Sequence, residues 1–461
     1  MQRTWIKDTV GQIGQEVLLQ GWVHRRRNMG KMVFIDLRDQ SGTCQVVFLT
    51  NHAEALAAAG GLGHEDVVTI TGQVNARPAK QVKADQVCGS VEIEALDLSI
   101  LTKAAVPPFE VNKDTLAVEE DLRLKYRYLD LRTDRMQRNL RLRSAYIQKC
   151  REFLYQHDFT EIETPLLTKS TPEGSRDFLV PSRKHPGSFY ALPQSPQQYK
   201  QLLVGGGFER YFQLARCVRD EDLRADRGYE HTQLDIELAF VEYNDVLNLV
   251  EGMVTQAAEA LGFTIKQKPF PRVTYEEAMQ TYGADKFDLR TDEDKAKGVL
   301  AFAWVVEFPF FEKTDDGKWT FTHNPFSMPK PEHLEWLLAG KNIDQIVTQQ
   351  YDLVCNGHET GGGSIRAHRP DILKATYQVM GYTDQEITDS IGHMLEAFSY
   401  GFPPHGGIGM GIERMLMNLT GEQYLREVQA FPMTTHGRTA VMDAPGPVPT
   451  NQLTELGIKK L

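Results

Sequence analysis

Charged side chains of both signs cluster around one strand–loop–strand stretch of the sequence. The run RCVRDEDLRADR closes a strand-like segment, and QLDIE follows in the next one. Alternate residues of a strand share a face, so Arg219 and Glu221 are expected to point the same way. The rigid fork of arginine suits a phosphate, and neighbouring carboxylates suit an ammonium group. Taken alone, the stretch fits a hairpin of solvated ion pairs better.

A second candidate is a glycine-rich turn between a strand and a helix. The run GGIGMGIER, residues 406–414, leads into the helical sequence MLMNLTGEQYL. Glycines let the backbone approach a ligand closely, and a helix N-terminus, here with Arg414 in its first turn, favours anions. The spacing matches neither a P-loop nor a dinucleotide fingerprint, so the turn alone predicts only close packing.

A third candidate, YDLVCNGHETGGGSIR at residues 351–366, combines carboxylates, glycines and an arginine. Asp352 and Glu359 could hold Mg²⁺, which prefers carboxylate and phosphate oxygens. The glycines at 361–363 allow close packing against a ligand ahead of Arg366. A flexible loop with an incidental arginine explains the segment better when it stands alone.

The fourth candidate consists of two short polar runs, TPEG at residues 171–174 and QSPQQYK at residues 194–200. Their carboxylate, amide and ammonium groups, on Glu173, Gln197 and Lys200, are the kinds that bind an amino acid. Without the other segments, these are ordinary loop residues.

Short strands dominate residues 15–104 and lead to one expected fold. Three strand-like runs (EVLLQGWVHRRR, MVFIDLRD, TCQVVFLT) precede the helical NHAEALAAAG, and two more follow (DVVTITGQVNAR, VEIEALDLSIL). This order predicts an OB-fold, or another small antiparallel barrel. The basic cluster of residues 25–27 with Lys31 could bind a polyanion.

The rest of the chain mixes helices and strands. Residues 105–120 contain prolines and have little periodicity, as a linker would. A long, charged, helical pattern runs from Arg123 to His157 and ends at the strand-like TEIETPLL. The runs FERYFQLARCVRDEDL and EHTQLDIELAFVEY are expected to form antiparallel strands.

Composition narrows the class of protein. A chain of 461 residues predicts two or three domains. The net charge of −11 argues weakly against a nucleic-acid binder, but a local basic patch can still serve one. The five scattered cysteines form no CxxC pair and are read as free thiols. With no run typical of a membrane span or a signal peptide, the expected location is the cytoplasm.

Together and in this order, the four segments resemble the class II aminoacyl-tRNA synthetases, and specifically aspartyl-tRNA synthetases of the bacterial kind. TEIETPLLTKSTPEG is similar to motif 1, FQLARCVRDEDLRADR with TQLDIE to motif 2, and GIGMGIERMLMNLTG to motif 3. The resemblance spans nearly the whole chain. It implies an α+β fold in which an N-terminal OB-fold β-barrel precedes a class II catalytic domain with a mostly antiparallel sheet flanked by helices.

The implied boundaries are an anticodon-binding barrel at 1–104, a linker at 105–120 and a catalytic domain at 121–461. Within the catalytic domain, the expected segments are motif 1 at about 150–175, motif 2 at about 208–240, a shortened insertion at about 284–300 and motif 3 at about 405–425. The implied activity is activation of L-aspartate by ATP, followed by transfer to the 3′ end of tRNA-Asp, with tRNA-Asn left open as a second acceptor. A homodimer is also implied.

The resemblance assigns roles residue by residue. Aspartate would be bound by Glu173, Ser195, Gln197, Lys200, Arg219, Asp235, His323 and Arg366. ATP would be bound by Arg219, Asp220, Glu221, His231, Glu359, Gly411, Ile412, Glu413 and Arg414. The catalytic groups would be Arg219, Glu221 and Arg414, and the Mg²⁺ ligands Asp352 and Glu359. The anticodon would be read by Arg26, Phe34, Gln45 and Glu92.

Three departures from the family pattern bear on these roles. The domain that bacterial members carry between motifs 2 and 3 is expected to be absent, because residues 291–301 alone bridge its place. Gly228 and His231 stand where a glutamine and a phenylalanine are usual, so altered contact with ATP is expected. Asn324 follows His323 where a second histidine is common.

Two other functions stay open at this point. An asparaginyl-tRNA synthetase would share the fold, but two cations, Lys200 and Arg366, suit a carboxylate better than a neutral amide. A non-catalytic tRNA-binding paralogue would need no intact site. The presence of the complete set argues against it: Arg219, Glu221, Asp352, Glu359 and Arg414.

Overall fold

The N-terminal region, whose strands have alternating apolar residues, forms a closed barrel. The computed structural model describes residues 1–84, 86–170 and 175–459. The barrel consists of β1 (Glu16–Asn28), β2 (Val33–Asp39), β3 (Gly42–Phe48), α1 (Ala53–Gly60), β4 (Val67–Ala76) and β5 (Val91–Thr102). Its strand order is β1-β2-β3-β5-β4, with β4 pairing back to β1. Five strands with a helix between the third and fourth confirm the predicted OB-fold.

Burial in the barrel follows the period of two that the sequence shows. Val17, Leu19, Gly21 and Val23 of β1 are buried, and the residues that alternate with them are more exposed. A β-bulge between Val23 and Arg25 then shifts this alternation by one residue. The bulge decides which side chains of the basic cluster share a face.

Helices and short strands open the second part of the chain. They are α2 (Glu120–Lys125), α3 (Arg127–Asp130), α4 (Asp134–Gln156), β6 (Thr160–Glu161), β7 (Leu179–Pro181), β8 (Phe189–Ala191), α5 (Gln197–Gly205), β9 (Arg210–Val218), β10 (Glu230–Ala239), α6 (Tyr243–Ala260), β11 (Arg272–Thr274), α7 (Tyr275–Tyr282) and α8 (Asp292–Ala296). The last of these, α8, occupies the segment predicted to be a shortened insertion.

The remaining elements complete the sheet and its cover. They are β12 (Phe302–Val306), β13 (Phe311–Lys313), β14 (Trp319–Phe321), α9 (Leu334–Ala339), β15 (Gln350–Cys355), β16 (His358–Ile365), α10 (Pro370–Val379), α11 (Asp384–Ser399), β17 (His405–Gly411), α12 (Ile412–Thr420) and α13 (Thr450–Glu455). Short 3₁₀ helices occur at Ile6–Gln12, Ala79–Gln81, Pro331–His333, Ile343–Gln345 and Leu425–Val428.

A mostly antiparallel sheet forms the centre of this part. Over the described residues it has eight strands in the order β11-β12-β15-β16-β17-β10-β9-β6. Only the outermost pairs, β11 with β12 and β6 with β9, are parallel. Helices α4, α6 and α12 bury their apolar faces against it, with Leu154, Val250 and Leu416 among the fully buried side chains. The predicted sheet flanked by helices is confirmed.

The long helical pattern from Arg123 to His157 is not one helix but α2, α3 and α4. Side chains stabilise the break between α2 and α3. The carboxylate of Asp130 accepts hydrogen bonds from Thr115 and Arg123. The Thr133 hydroxyl donates to the Asp130 carbonyl, 2.8 Å away, and thus takes up a helix-end acceptor. Likewise, only two residues of TEIETPLL form a strand, β6.

By backbone contacts the chain divides into two compact units. The first contains Met1–Arg123 and Tyr128–Asp134, and the second Leu124–Arg127 and Arg135–Leu461. Within the described ranges, no helix has the length and apolar character needed to cross a membrane.

Candidate active site

One cavity in the second unit collects most of the predicted chemistry. Its volume is about 260 Å³, and it opens between the loop after β9 and the strands β10, β15, β16 and β17. The predicted residues that line it are Arg219, Glu221, His231, His323, Asp352, Glu359, Gly411, Glu413 and Arg414. Segments far apart in sequence therefore meet at one site.

Glycines of β17 make room for the polar side chains of the neighbouring strand β10. A Cβ on Gly407 would lie 2.3 Å from Glu237 Oε2, and one on Gly409 would lie 2.0 Å from Gln233 Nε2. The glycines at 361–363 belong to β16, so the flexible-loop interpretation of that segment is wrong. In both strands, the absence of side chains allows close packing and also leaves room for a ligand.

Next to the glycines of β17 lies a buried network of two cations and two carboxylates: Lys200, Asp235, Glu237 and Arg366. Lys200 Nζ is 2.9 Å from Asp235 Oδ1 and 3.3 Å from Glu237 Oε2. Arg366 Nε donates to Glu237 Oε1 at 3.0 Å. All four residues are at most 2% exposed. Two opposite pairs of charges let the network be buried without net charge.

The carboxylates of this network differ in their protonation chemistry. Burial alone would raise the pKa of Glu237, but Arg366 and Lys200 hold it below its usual value. Burial does raise the pKa of Asp235, against the lowering effect of Lys200. Its Oδ2 has no hydrogen-bond partner among the described residues. Asp235 thus keeps an unused acceptor next to the cavity floor.

Gln233 connects the buried network to the cavity. It lines the cavity, and its Nε2 donates to Asp235 Oδ1 at 3.2 Å. A Cβ on Gly409, which also lines the cavity, would lie 3.4 Å from the same oxygen. A small ligand on this floor would therefore need only a small rearrangement to reach Asp235.

The two carboxylates predicted to bind Mg²⁺ face each other across Gly362. A Cβ at Gly362 would lie 3.0 Å from Asp352 Oδ1 and 3.6 Å from Glu359 Oε1. Burial, and the nearby charge of Glu359, raise the pKa of Asp352. Burial would also raise the pKa of Glu359, but Lys286 and Arg414 lower it. Two such carboxylates fit a hard cation that completes its shell with phosphate oxygens; the described residues contain no larger metal-binding cluster.

Arg414 sits in the first turn of α12 and is held by acidic partners. Its guanidinium lies 3.2 Å from Asp226 Oδ2 and donates to the carbonyl of Glu359 at 3.2 Å. Asp226 belongs to the motif-2 loop, which also carries the Arg227–Glu221 pair at 3.6 Å. This end of the cavity can exchange those partners for a phosphate.

Family models match both units. The model for "tRNA synthetases class II (D, K and N)" matches residues 119–435, and that for the "OB-fold nucleic acid binding domain" matches residues 17–101. The chain belongs to the class II tRNA synthetases. The aspartate–tRNA ligase of Geobacillus kaustophilus is 38% identical over 583 aligned residues, covering 99% of this chain and 98% of the relative. Because the alignment is longer than this chain, the relative has residues that the chain lacks.

Further relatives agree in family and fold. The aspartate–tRNA(Asp/Asn) ligase of Corynebacterium aurimucosum is 38% identical, covering 96% of this chain and 94% of the relative. The asparaginyl-tRNA synthetase of Pyrococcus horikoshii has a similar structure, with a TM-score of 0.75 at 23% identity, covering 94% of this chain and 98% of the other. The aspartyl-tRNA synthetase of Entamoeba histolytica gives 0.74 at 24%, covering 94% and 91%.

Arg219 and Glu221 of this synthetase line the cavity, but not as neighbours on a strand face. β9 ends at Val218, one residue earlier, because the following residues turn into the motif-2 loop. Arg219 donates its backbone N–H to Tyr229 and its Nε to the carbonyl of Gln194, at 3.3 Å. The expectation of a regular strand at this point was wrong.

Three residues that depart from the family pattern line the cavity of the synthetase: Gly228, His231 and Asn324. Burial, with the charge of Arg219 nearby, lowers the pKa of His231 to about 4, so its imidazole is neutral near pH 7. A neutral ring can stack on a base. His323 makes an edge contact with Phe308 at 4.6 Å between ring centroids, and the Asn324 side chain accepts from the backbone of Phe326.

Other predicted residues of the synthetase lie outside the cavity lining. Glu173 falls outside the described residues. Ser195 and Gln197 sit at the start of α5, where the Ser195 hydroxyl accepts from the Gln197 backbone at 3.3 Å. Asp220 pairs with Arg176 at 3.8 Å on the surface, and Ile412 is buried in the core.

Glu413 lines the cavity, but local partners occupy its carboxylate. It accepts from the Thr232 backbone at 3.0 Å and pairs with Arg143 at 3.0 Å.

In the barrel of the synthetase, three of the four predicted anticodon residues share a face. Phe34 alternates with buried residues of β2, and Gln45 Nε2 donates to Glu92 Oε2 at 3.1 Å. Arg26 is not on this face, because the β-bulge pairs it with buried Ile35 and its guanidinium reaches the Gly60 carbonyl. Arg27 takes that position instead, donating to Gln45 at 3.3 Å.

Sequence reasoning missed four residues of these sites: Gln233, Glu237, Lys286 and Arg27. Glu237 lies two residues after Asp235 on β10, and that alternation was a usable signal. Gln233 precedes Asp235 by the same interval. No local pattern marks Lys286, which reaches Glu359 from the segment between α7 and α8.

Proposed function

We propose that this synthetase activates L-aspartate with ATP and transfers the aspartyl group to the 3′ end of tRNA-Asp. The observation that carries this proposal is the pair of cations, Lys200 and Arg366, buried beside the cavity in a network with Asp235 and Glu237. The 38% identity to curated aspartate–tRNA ligases supports the same substrate.

The first step needs charge neutralisation more than a base. The α-carboxylate of aspartate, ionised at neutral pH, attacks the α-phosphorus of ATP, and the bond to the bridging oxygen breaks so that pyrophosphate leaves with the electron pair. Two anions must approach each other. Arg219 and Arg414 offset that repulsion and stabilise the charge spread over the transition state.

Discrimination against asparagine follows from the buried cations. The side-chain carboxylate of aspartate adds a negative charge next to Arg366 and Lys200, and Asp235 keeps a free acceptor for the α-ammonium. Asparagine offers a neutral amide there and leaves the cations less well paired. An unpaired charge in a dry pocket costs on the order of several kcal/mol.

Asp352 and Glu359 would hold Mg²⁺ together with the phosphates. The ion supplies charge neutralisation on the leaving pyrophosphate when it is bound. Burial of Asp352 against Glu359 supports this assignment, since both carboxylates gain from a shared cation.

The barrel face of Phe34, Gln45 and Glu92 would bind the anticodon. An aromatic ring beside amide and carboxylate groups can stack on a base and bond to its edge. In the second step, the 3′-terminal ribose hydroxyl of tRNA attacks the aspartyl-adenylate, loses its proton and displaces AMP. We further propose the domain boundaries given above and action in the cytoplasm.

A homodimer is also proposed. Leu166 and Leu167 follow the motif-1 strand β6 and are 55% and 52% exposed. Exposed adjacent leucines fit a protein interface. Sedimentation equilibrium of the chain should give twice its 52.2 kDa mass.

The deciding experiment is charging of labelled aspartate onto separate tRNA-Asp and tRNA-Asn transcripts, with labelled asparagine as the matched amino-acid control. Charging of tRNA-Asp with aspartate is the expected result. Charging of tRNA-Asn as well would extend the enzyme to both acceptors, as the names of some relatives indicate. Charging with asparagine, or no charging of either transcript by folded protein, would contradict the proposal.

A further inference from the structure

A lysine from the segment between α7 and α8 reaches the phosphate end of the cavity. Lys286 Nζ lies 3.0 Å from Glu359 Oε2. The same oxygen is 3.7 Å from the guanidinium of Arg414. Lys286 and Arg414 therefore approach a single carboxylate oxygen from different elements.

The charge balance at this end makes each cation matter. Arg414, Lys286 and Arg227 stand against four carboxylates, those of Asp226, Asp352, Glu359 and Glu221, so carboxylates outnumber cations. A triphosphate adds about four negative charges at neutral pH. Arg414 alone would leave the two terminal phosphates poorly neutralised, even with a divalent ion on the carboxylates.

Lys286 is free enough to change partners. Its side chain is 37% exposed and forms an ion pair with Glu359. Its four-carbon stem carries a compact charge with rotatable donors, which suits contact with phosphate oxygens in several arrangements. When a cation occupies Glu359, the ammonium group of Lys286 is repelled from that oxygen and attracted to the nearest phosphate.

We propose that Lys286 is a phosphate-binding residue that contacts the terminal phosphates of ATP and stabilises pyrophosphate as it leaves. It would exchange Glu359 for a phosphate oxygen on nucleotide binding. This proposal rests on the proposed function, because it assigns Lys286 to the leaving group of that reaction.

Calorimetric titration of ATP and AMP separates this role from a structural one, because AMP lacks the two terminal phosphates. With Mg²⁺ present, Lys286→Met should raise the Kd for ATP about tenfold, the loss of one charge-assisted hydrogen bond. The Kd for AMP should stay within about twofold. Lys286→Arg should recover most of the ATP affinity, since it keeps the charge.

The matched control is Lys297→Met, directly after α8, where the lysine pairs with exposed Glu293 at 2.5 Å. It should bind both nucleotides as the unmodified chain does. Unchanged ATP affinity in Lys286→Met would overturn the proposal. An equal loss for ATP and AMP would also overturn it, by making Lys286 a structural partner of Glu359.

Pyrophosphate exchange provides an independent measurement. With saturating aspartate, Lys286→Met should raise the KM for pyrophosphate about tenfold. If the unmodified chain shows no aspartate-dependent exchange, the proposed function fails, while the nucleotide titrations still decide whether Lys286 binds phosphate.

Discussion

The site has two charged regions that are built in different ways: a buried network beside the cavity, proposed as the amino-acid end, and the part of the cavity proposed as the phosphate end. At the amino-acid end, Lys200 comes from α5, Asp235 and Glu237 from β10, and Arg366 follows β16; none is more than 2% exposed. At the phosphate end, Asp226 and Lys286 lie on irregular segments, and the side chains of the ion pairs there are 22–37% exposed.

This difference suits the two regions to different tasks: selecting the amino acid, and exchanging ion-pair partners as the nucleotide binds and leaves. Buried ion pairs on a rigid sheet cannot relax when their ligand is wrong, so the amino-acid end can reject a neutral side chain at high cost. Exposed pairs exchange partners cheaply, because surface ion pairs contribute little stability. The phosphate end can therefore bind ATP and release pyrophosphate without disturbing the fold.

Removing the buried arginine should give the largest effect. Arg366→Ala is expected to lower aspartate-dependent pyrophosphate exchange by about a thousandfold or more, because the substrate carboxylate loses a buried charged partner. ATP binding should remain, since Arg366 belongs to the buried network and not to the proposed phosphate end. Initial rates of exchange and ATP titration provide the two measurements.

Arg369→Ala is the matched control, because Arg369 is exposed and pairs only with its neighbour Asp371 in the described contacts. It should keep normal exchange. Normal exchange by Arg366→Ala would show that the buried network does not recognise aspartate.

Neutralising Glu237, the carboxylate that Lys200 and Arg366 share, tests whether the buried network stabilises the fold. Glu237→Gln leaves Lys200 and Arg366 with one carboxylate between them and should lower the free energy of unfolding by about 3 kcal/mol. Urea denaturation measures the loss. Glu293→Gln, on an exposed ion pair, should change it by less than about 0.5 kcal/mol. Equal stability of the two variants would refute the contrast between the two ends.

Loss of the aromatic ring on the barrel should affect the second substrate alone. Phe34→Ala is expected to lower kcat/KM for tRNA charging about thirtyfold, the cost of losing one stacked base. Adenylate formation should be unchanged. Leu101→Ala, an exposed position on β5, serves as the control. If Phe34→Ala charges tRNA normally, the anticodon face must lie elsewhere.

Regular elements of this fold could be predicted from local patterns. The alternation of buried residues in β1 and the glycine-to-helix transition at α12 are short-range features. The break of the Arg123–His157 pattern into three helices was not predictable in this way, because contacts from Thr115 and Asp130 produce it. Arg26 was misplaced for a similar reason, since a β-bulge shifts the strand phase.

The site shows the same limit. The motifs and their order in the sequence predicted that Arg219, Asp352 and Arg414 belong to one site, because each motif can be recognised locally. Lys286 gains its importance from Glu359, more than seventy residues away in sequence, so a local pattern could not reveal it. Glu237 carries a local signal, its alternation with Asp235 on β10, but its pairing with Arg366 is visible only in the fold.

A buried histidine beside the network, His405, makes the folding stability of the protein depend on pH. His405 accepts from Gln201 at 2.9 Å through one ring nitrogen and donates to the Pro403 carbonyl through the other, so it is neutral. Burial lowers its pKa from 6.5 to about 4, against the raising effect of Glu237. The unfolded chain therefore binds a proton more readily between these values, and folding weakens as pH falls through them.

This histidine should contribute about 1.5 kcal/mol of destabilisation between pH 6.5 and pH 5. Urea denaturation of His405→Gln should show a correspondingly shallower loss over that interval than the unmodified chain. Parallel losses in the two proteins would mean that other groups cause the whole pH dependence.

The smallest effect is expected where an exposed pair competes with substrate. Asp226 holds the guanidinium of Arg414 at 3.2 Å, and both side chains are partly exposed. Asp226→Asn should remove this competition and lower the Kd for ATP by about threefold, in line with the small worth of an exposed pair. Asp222→Asn, in the same loop, should leave the affinity unchanged. A weaker affinity for ATP in Asp226→Asn would instead mean that Asp226 positions Arg414 for the phosphate, and the phosphate end would then be preorganised like the amino-acid end.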